Sequence, residues 1–484
     1  MSSQSASPTN APRPSPQAPP GGTGSVARRP NGLLLFGLSL GYFMVMLDTT
    51  VVTVALPAIG DDLSGSLTGL QWVSNGYTLT FAALLLSAGA LSDRYGGRKV
   101  FLTGLWLFAL FSGVSAAVGS MGALIALRAL LGVAGALLLP TSLAIIAHAY
   151  TEPAARARAM GAWAAISGTA LAAGPLVGGV FTDTLGWQAI FLINVPVALV
   201  SIVITMKHAP VSAPKPAKGV DLPGQVAAVL ALAGLTYALI ESEPEGWGSA
   251  QVLGGLAVFV VAGAAFVLAE RRPETAGHAP MLPLTMFRNR TLSAGLFAGL
   301  LVNFGLSGVL FVLSLFFQEA HGYSAFTTGL VFLPLTLPTA FNPIFTGRLV
   351  GRIGARKPAI AGFLMMGVGV LIQSASTSDT VLGLVVMCAG LLVLGFGVSF
   401  AIPPLMTAIV GSVPKEQSGI ASGALNSARQ TGAVLGVAVL GAVIGSGASV
   451  GSGTRLALVV AGVVLLAGAG VVTAYIGRPA AQSA

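Results

Sequence analysis

The sequence predicts an all-α polytopic membrane protein, and three observations support this class. Only 8% of the 484 residues are charged, whereas an ordinary soluble domain carries roughly 25%. Hydrophobic residues make up 54% of the chain. Apolar runs of about 20 residues or more, each long enough to cross a hydrocarbon core of roughly 30 Å as a helix, recur along the chain. A soluble globular fold is therefore excluded.

Turn-rich and charged stretches divide the chain into fourteen candidate spans. These spans lie near residues 32–58, 68–91, 98–119, 122–147, 159–182, 188–206, 222–241, 250–269, 292–317, 326–347, 357–376, 380–410, 417–445 and 455–476. Residues 1–30 are rich in Pro, Ser and Ala and predict a disordered cytoplasmic tail. The first apolar segment is too long for the core of a cleaved signal peptide, so we expect it to remain as a span.

The distribution of basic residues predicts the orientation of the chain. With the N-terminus inside, all but three of the 24 Lys and Arg residues fall in cytoplasmic segments; the three are Arg128, Arg429 and Arg455. Lys and Arg collect on the cytoplasmic side of membrane proteins. The sequence thus predicts a multi-pass protein with both termini cytoplasmic, and its Ala- and Gly-rich composition favours a bacterial inner membrane. Topology also accounts for the net charge of +9 without a nucleic-acid partner.

Two cassettes dense in charge and glycine recur in this apolar chain, GALSDRYGGRK at 89–99 and GRLVGRIGARK at 347–357. They coincide without a gap at Gly89/Gly347, Leu91/Leu349, Arg94/Arg352, Gly96/Gly354, Arg98/Arg356 and Lys99/Lys357. If spans seven and eight are an insert, the cassettes join equivalent spans of two six-span halves. We therefore expect six-helix bundles at 31–207 and 273–478, a peripheral two-helix insert at 208–272, and a second cytoplasmic tail at 479–484.

The pattern G-x-L-x-D-R-x-G-x-R-K resembles the loop signature of the major facilitator superfamily. The stretches that resemble its fourteen-span drug:proton antiporter family, of multidrug efflux type, are LDTTVVTVALP (47–57), LRALLGVAGALLLP (127–140), AAGPLVGGVF (172–181), WQAIFLINVPVA (187–198) and SGIASGALNSARQTGAVLG (418–436). The resemblance covers about residues 31–476. It implies an exporter of small, largely apolar drugs, antibiotics or toxic metabolites by alternating access, driven by the proton gradient without a cofactor. The chain departs from the family pattern at Thr53, Leu131 and Gln188–Ala189.

Asp48 is the only carboxylate predicted to lie well inside the hydrocarbon region. A charge at that depth costs about 2.5 to 3.5 kcal/mol, so Asp48 needs a partner or a proton. The helix rise places Arg128 at a similar depth. Burial favours the neutral carboxyl and a nearby guanidinium favours the carboxylate, so small movements could change proton affinity. Asp48 and Arg128 are therefore candidates for proton coupling, and a structural ion pair that locks two helices is the alternative.

A cytoplasmic gate is the second candidate site. We expect it to consist of Asp93, Arg94, Gly96 and Arg98 from the first cassette, with Arg352 and Arg356 from the second. Asp93 would pair with an Arg of the opposing face when the cytoplasmic side is closed. The alternative is that the basic residues only anchor the topology.

Helix breakers and polar residues within the spans suggest a bend and a substrate path. The antiporter helix-bend motif comprises Gly174, Pro175, Gly178 and Gly179, where a proline removes a donor and glycines allow close approach. The candidates for the substrate path are Asn303, Glu319, Asn426 and Arg429. We also expect Pro334, Pro338 and Pro343 to interrupt span ten. Snorkelling of Arg429 and an interhelical hydrogen bond of Asn303 are alternatives.

Other classes of protein lack support in the sequence. No G-x-x-x-x-G-K-[ST] phosphate loop occurs, and neither the four separated histidines nor Cys388 provide a metal-ligand spacing. We expect no enzyme activity and no bound metal, with the bilayer, a small-molecule substrate and protons as partners of a monomer. A proton-coupled nutrient importer on the same fold is the nearest alternative, and a membrane receptor or scaffold is a more distant one.

Overall fold

A computed structural model describes residues 32–210, 221–272, 280–376 and 380–477. Within these ranges the chain forms helices and no strand. The α-helices are α1 (Gly32–Leu63), α2 (Leu67–Tyr95), α3 (Gly97–Ser115), α4 (Met121–Ala149), α5 (Pro153–Leu185), α6 (Ala189–Leu192), α7 (Asn194–His208), α8 (Leu222–Glu245), α9 (Ala250–Glu270), α10 (Arg290–Leu315), α11 (Ala325–Val331), α12 (Leu333–Ile353), α13 (Arg356–Ser374), α14 (Val381–Gly411), α15 (Ser418–Gly445) and α16 (Val450–Tyr475). The predicted tails at 1–30 and 479–484 lie outside the described residues.

Short polar caps mark where several of these apolar helices begin. The hydroxyls of Ser66, Ser120, Ser249 and Ser449 each accept a hydrogen bond from the backbone three residues later, which satisfies a donor that the helix itself leaves free. Apolar side chains then surround most of each helix rather than forming one stripe, as expected for helices in a bilayer.

The count of candidate spans falls slightly below the fourteen predicted. In the described ranges twelve helices are long and apolar enough to cross a membrane, or up to thirteen when the bent pair α11–α12 is counted as one span. The helix α2 is not among them, and it carries polar residues along its length, including Gln71, Asn75 and Asp93.

Two of the predicted spans are divided by breaks. The span near 326–347 consists of α11 and α12, which meet at an angle of 48°. The break lies at Phe332, and Pro334 has no N–H to donate to the carbonyl of Leu330 four residues earlier, so a regular helix cannot continue through this point. Pro338 and Pro343 lie inside α12, so of the three prolines only Pro334, in the first turn of α12, lies at a break, and the predicted interruption at the other two is wrong. The span near 188–206 is similarly divided, at Ile193 between α6 and α7.

The helices pack in two groups. In the first group α1 packs against α5 and α7, and α4 packs against α2 and α3. In the second group α10 packs against α15 and α16, and α13 packs against α14 and α16. The bent pair α11–α12 belongs to this group, because α12 packs against α14. An apolar core extends through both groups, from Leu34 in α1 to Val472 in α16. At Gly432 and Gly436 a Cβ atom would collide with the carbonyl oxygens of Leu300 and Phe304, so glycine allows α15 to approach α10 closely.

The two cassettes adopt the same backbone geometry. Gly96 ends α2 with φ 88° and Gly354 ends α12 with φ 78°. Each glycine donates its N–H to the carbonyl four residues earlier, that of Ser92 at 3.0 Å and that of Val350 at 2.9 Å. Positive φ favours glycine, so the predicted correspondence of Gly96 with Gly354 has a conformational basis.

The helices α8 and α9 form a hairpin whose members have different surroundings. They pack closely where Gly234 faces Gly255, and α9 exposes most of its outer surface. By contrast, α8 packs against both α2 and α15. In the contact with α2, Gln225 donates to the Ala83 carbonyl at 2.8 Å and accepts from the Ser87 hydroxyl. The peripheral position expected for this pair thus describes α9, while α8 contacts both helix groups.

Candidate functional site

The predicted partners Asp48 and Arg128 form a buried ion pair. Asp48 lies in the middle of α1, and Arg128 lies in the second turn of α4. A guanidinium nitrogen of Arg128 contacts Asp48 Oδ2 directly. The two residues are only 2% and 1% exposed, so water does not screen their charges. Such a pair is stable only when further hydrogen bonds complete the coordination of both groups.

Two neighbours complete the coordination of Arg128. Its Nε donates to the carbonyl of Val73 in α2 at 3.1 Å. The centre of its guanidinium lies 4.6 Å from the centroid of the Tyr77 ring, within range of a cation–π interaction. The Tyr77 hydroxyl in turn donates to the Val45 carbonyl of α1 at 3.2 Å. The cation therefore links α1, α2 and α4.

A polar side chain that sequence reasoning missed completes the coordination of Asp48. Asn194, at the start of α7, donates to Asp48 Oδ1 at 3.3 Å and to the Ser112 hydroxyl at 3.1 Å. Ser112 donates onward to the carbonyl of Phe191 at 2.8 Å. The signal was an asparagine in the apolar stretch FLINVPVA, and its proximity to Asp48 depends on how α7 packs against α1.

The predicted helix-bend motif places α5 against two other helices. The helix continues through Pro175 without a break. A Cβ atom at Gly174 would collide with Thr50 of α1, and one at Gly178 would lie 2.7 Å from the Val51 carbonyl oxygen. At Gly179 it would lie 2.5 Å from the carbonyl oxygen of Ala325 in α11. The absence of side chains at these glycines thus allows α5 to approach α1 of the first group on one side and α11 on another.

Hydrogen bonds join the two groups at the α11 end of the molecule. The Asp183 carboxylate of α5 accepts from the backbone N–H groups of Ala325 and Phe326 at 3.2 and 3.0 Å. Ser314 donates to the Thr53 carbonyl at 2.7 Å, and Gln318 donates to the Val54 carbonyl at 3.0 Å. This end is therefore closed by contacts between α5 and α11 and by contacts of α1 with the end of α10 and with the helical turn that follows it, Phe316–Ala320.

The predicted gate residues lie at the opposite end. Asp93, Arg94 and Arg352 are exposed, and none of them forms an ion pair with a residue in the described ranges. Arg98 donates to the Met206 carbonyl at 2.6 Å, within its own group. Arg356 donates to the Thr473 carbonyl, also within its own group. The pairing of Asp93 with an opposing Arg stays a prediction for a state in which this end is closed.

The structure brings together two of the four candidates for the substrate path. Arg429 Nε donates to Asn303 Oδ1 at 3.2 Å and thereby joins α15 to α10. Asn426 instead donates to the Ser422 carbonyl of its own helix. Glu319 is exposed at the far end of the α10 segment, so it is not near the other three. No group of His, Cys, Asp or Glu in the described part of the chain could hold a metal ion.

Known proteins resemble this chain over most of its length. A family model described as Major Facilitator Superfamily matches residues 38–437. A methylenomycin A resistance protein of Streptomyces coelicolor is 34% identical and covers 97% of this chain and 96% of its own. The multidrug resistance protein Stp of Mycobacterium tuberculosis is 36% identical and covers 85% of this chain and 75% of its own.

Solved structures support the same fold. The crystal structure of a D-xylose-proton symporter superposes with a TM-score of 0.66 and covers 92% of this chain and 98% of its own, at 14% identity. At that identity the likeness shows the fold alone. The predicted all-helical architecture is thus confirmed, and the family match and the relatives show that this chain belongs to the Major Facilitator Superfamily of membrane transporters.

Proposed function

We propose that this protein is a proton-coupled exporter of drugs, antibiotics or toxic metabolites that works by alternating access. The names of similar proteins support export over uptake. They include a tetracenomycin C resistance and export protein of Streptomyces glaucescens and a cephamycin export protein of Amycolatopsis lactamdurans, each 36% identical to this chain.

The observation that carries the proton coupling is the buried pair of Asp48 and Arg128. A proton on Asp48 would neutralise the carboxylate and leave the guanidinium without its counter-ion, which is costly in a buried site. Arg128 bonds to α2 and stacks on Tyr77, and Asn194 ties Asp48 to α7. Protonation at this point therefore changes the contacts among α1, α2, α4 and α7, and of these α1 and α2 also pack against α10 and α15 of the second group.

We further propose that the chain crosses the bilayer fourteen times, with both termini in the cytoplasm. The helix α2 has 29 residues and packs along α4, and at 1.5 Å per residue it is about 44 Å long, enough to cross a bilayer. When α11–α12 is treated as one span and α2 is added, the number of spans is the predicted fourteen. In this arrangement the bundles are 31–207 and 273–478, and 208–272 is the insert.

With this orientation the closed end formed by α11 faces outward and the exposed cassettes face the cytoplasm. The exposed Asp93 and Arg352 and the bonds of Asp183 to α11 support an inward-open state. Substrate would enter from the cytoplasm or inner leaflet, and proton transfer at Asp48 would accompany the change to the outward-open state.

Transport into energised everted vesicles tests this function. The substrates are one anionic, one neutral and one cationic aromatic dye, and the proteins are wild type, Asp48→Asn and Asp48→Glu at matched expression. We expect wild type to accumulate at least one dye in an uncoupler-sensitive manner, Asp48→Asn to lose this accumulation, and Asp48→Glu to retain part of it. Asp61→Asn is the matched control, because Asp61 is an exposed carboxylate at the end of the same helix.

Two results would contradict the proposal. Undiminished accumulation by Asp48→Asn would make Asp48 a structural residue and remove the coupling site. Energised uptake in right-side-out vesicles, with none in everted ones, would make the protein an importer.

A further inference from the structure

We infer that the transport site recognises an anionic group, and that Arg429 binds the carboxylate or ionised phenol of an aromatic substrate. This inference rests on the proposed export function and specifies its substrate class. The site comprises Arg429 and Asn303 from the second helix group and the Tyr42–Trp163 stack from the first.

Arg429 is held in place deep within its helix. It lies roughly 17 Å along α15 from Ser418, at 1.5 Å per residue, and is partly accessible. A Cβ atom at Gly299 of α10 would lie 3.3 Å from Arg429 Cγ, so the glycine makes room for the arginine stem. One turn further along α10, Asn303 accepts the Nε hydrogen bond at 3.2 Å. These two contacts therefore fix the position of the guanidinium, and the side chain is not free to extend towards the membrane surface.

Arg429 forms no ion pair with a residue in the part of the chain that the structure describes. The ion pairs in the described ranges are Arg128 with Asp48 and Arg158 with Glu152. Asp48 is the only buried acid described in α1–α7, and no buried acid is described in α10–α16. Because Asp48 is already bound by Arg128 and Asn194, it is not available to neutralise Arg429.

The hydrogen-bonding groups that remain free here are donors. A guanidinium carries five N–H donors, and the bond to Asn303 uses only one. The terminal nitrogens of Arg429 and the amide nitrogen of Asn303 donate no hydrogen bond to a described residue, and none of these atoms is fully enclosed. A ligand that supplies oxygen acceptors and a negative charge complements this arrangement, whereas a cationic ligand would be repelled.

The first helix group carries an aromatic pair within electrostatic range of Arg429. The rings of Tyr42 in α1 and Trp163 in α5 stack with centroids 4.5 Å apart and planes 9° from parallel. The guanidinium of Arg429 lies within electrostatic range of the Tyr42 hydroxyl. Each of the two residues is 9% exposed, and a flat ring system that reaches the pair can pack against it while its acidic group binds Arg429. Such a substrate would contact both helix groups and would be released when they move apart.

Three probes with one aromatic body test the charge preference: 1-pyrenebutyrate, 1-pyrenebutanol and 1-pyrenebutylammonium. Binding to the full chain in lipid nanodiscs is followed by quenching of tryptophan fluorescence. We expect wild type to bind the butyrate at least about tenfold more tightly than the other two, in line with the strength of charge-assisted hydrogen bonds. Arg429→Gln should lose this preference, and Arg429→Lys should keep part of it. Arg455→Gln removes an exposed cation and should change nothing.

A second variant, Asn303→Asp, tests the inference even if Arg429→Gln does not fold. Asn303→Asp places a carboxylate at the position that already contacts Arg429, so it supplies an internal counter-ion and should fold. We expect Asn303→Asp to lose the preference for the butyrate and to bind the alcohol as wild type does. Equal binding of all three probes by wild type, or an unchanged preference in both Arg429→Gln and Asn303→Asp, would overturn the inference.

Transport of the same probes into proteoliposomes separates this inference from the export function. Faster proton-driven transport of the ammonium than of the butyrate would leave export in place and refute the anion site. Selective binding of the butyrate, lost in Arg429→Gln and unaccompanied by proton-driven transport of any probe, would support the anion site and refute export.

Discussion

Arg98 and Arg356 occupy the same position of two repeated loops and make the same contact. Arg98, at the start of α3, donates to the Met206 carbonyl near the end of α7. Arg356, at the start of α13, donates to the Thr473 carbonyl near the end of α16. Carbonyls in the last turn of a helix lack intrahelical partners, and a cation there is favourable. The cassettes thus tie together two helices within each group.

Loss of this contact should destabilise each group without preventing the conformational change. We expect Arg98→Ala and Arg356→Ala each to cost about 1 kcal/mol of stability, seen as a lower melting temperature of the purified protein. Arg94→Ala is the control, because Arg94 is exposed and only stacks on Tyr95. A melting temperature that falls as much in Arg94→Ala would show that the charge of the loop matters rather than the contact.

Removal of the Asn194 amide should impair coupling. Asn194→Ala leaves Asp48 Oδ1 and the Ser112 hydroxyl without the donor that joins them. An unsatisfied buried group costs about 1 to 3 kcal/mol, so we expect lower thermal stability and reduced proton-driven transport. Ser201→Ala removes a comparable buried bond of α7, to the Gly37 carbonyl, and should lower stability while sparing coupling. Equal losses of transport in the two variants would contradict this.

Enlargement of Gly179 should open the outer end. Gly179→Val would place side-chain atoms against the backbone of Ala325 and Phe326, and a backbone cannot move aside without separating α5 from α11. In a Cys388→Ser background with Thr53→Cys, we expect a membrane-impermeant maleimide to label intact cells faster when Gly179→Val is present. Gly161→Val is the matched control, because nothing lies within 4 Å of a Cβ atom at Gly161. Unchanged labelling would show that the glycine contact does not hold this end closed.

The Asp183 carboxylate should act on the same equilibrium through hydrogen bonds. Asp183→Ala removes the acceptor for the first N–H groups of α11, a loss of about 1 kcal/mol for this type of contact. The same maleimide assay should show faster labelling of Thr53→Cys, with Asp183→Asn intermediate because its amide oxygen still accepts one bond. Labelling that slows in Asp183→Ala would mean that the carboxylate favours the open state.

The sequence by itself determined the class of the protein, its repeat and its buried pair. Hydrophobicity alone excludes a soluble fold, and the alignment of Gly96 with Gly354 identified two equivalent loops, which the structure shows to share a positive φ. Asp48 and Arg128 were matched because a charge at membrane depth needs a partner and the helix rise fixes depth from the sequence. These features depend on one helix at a time, or on two helices of known direction.

Only the tertiary structure decided which side chains from different helices meet. It brought Asn194 to Asp48 and Asn303 to Arg429, and it directed Arg98 and Arg356 to their own groups. It left Glu319 exposed at the far end of the molecule and the Asn426 amide bonded to its own helix. Depth follows from residue number, but the rotation of each helix about its axis and the identity of its neighbours do not. In a chain that is apolar on nearly all faces, no hydrophobic stripe reports that rotation.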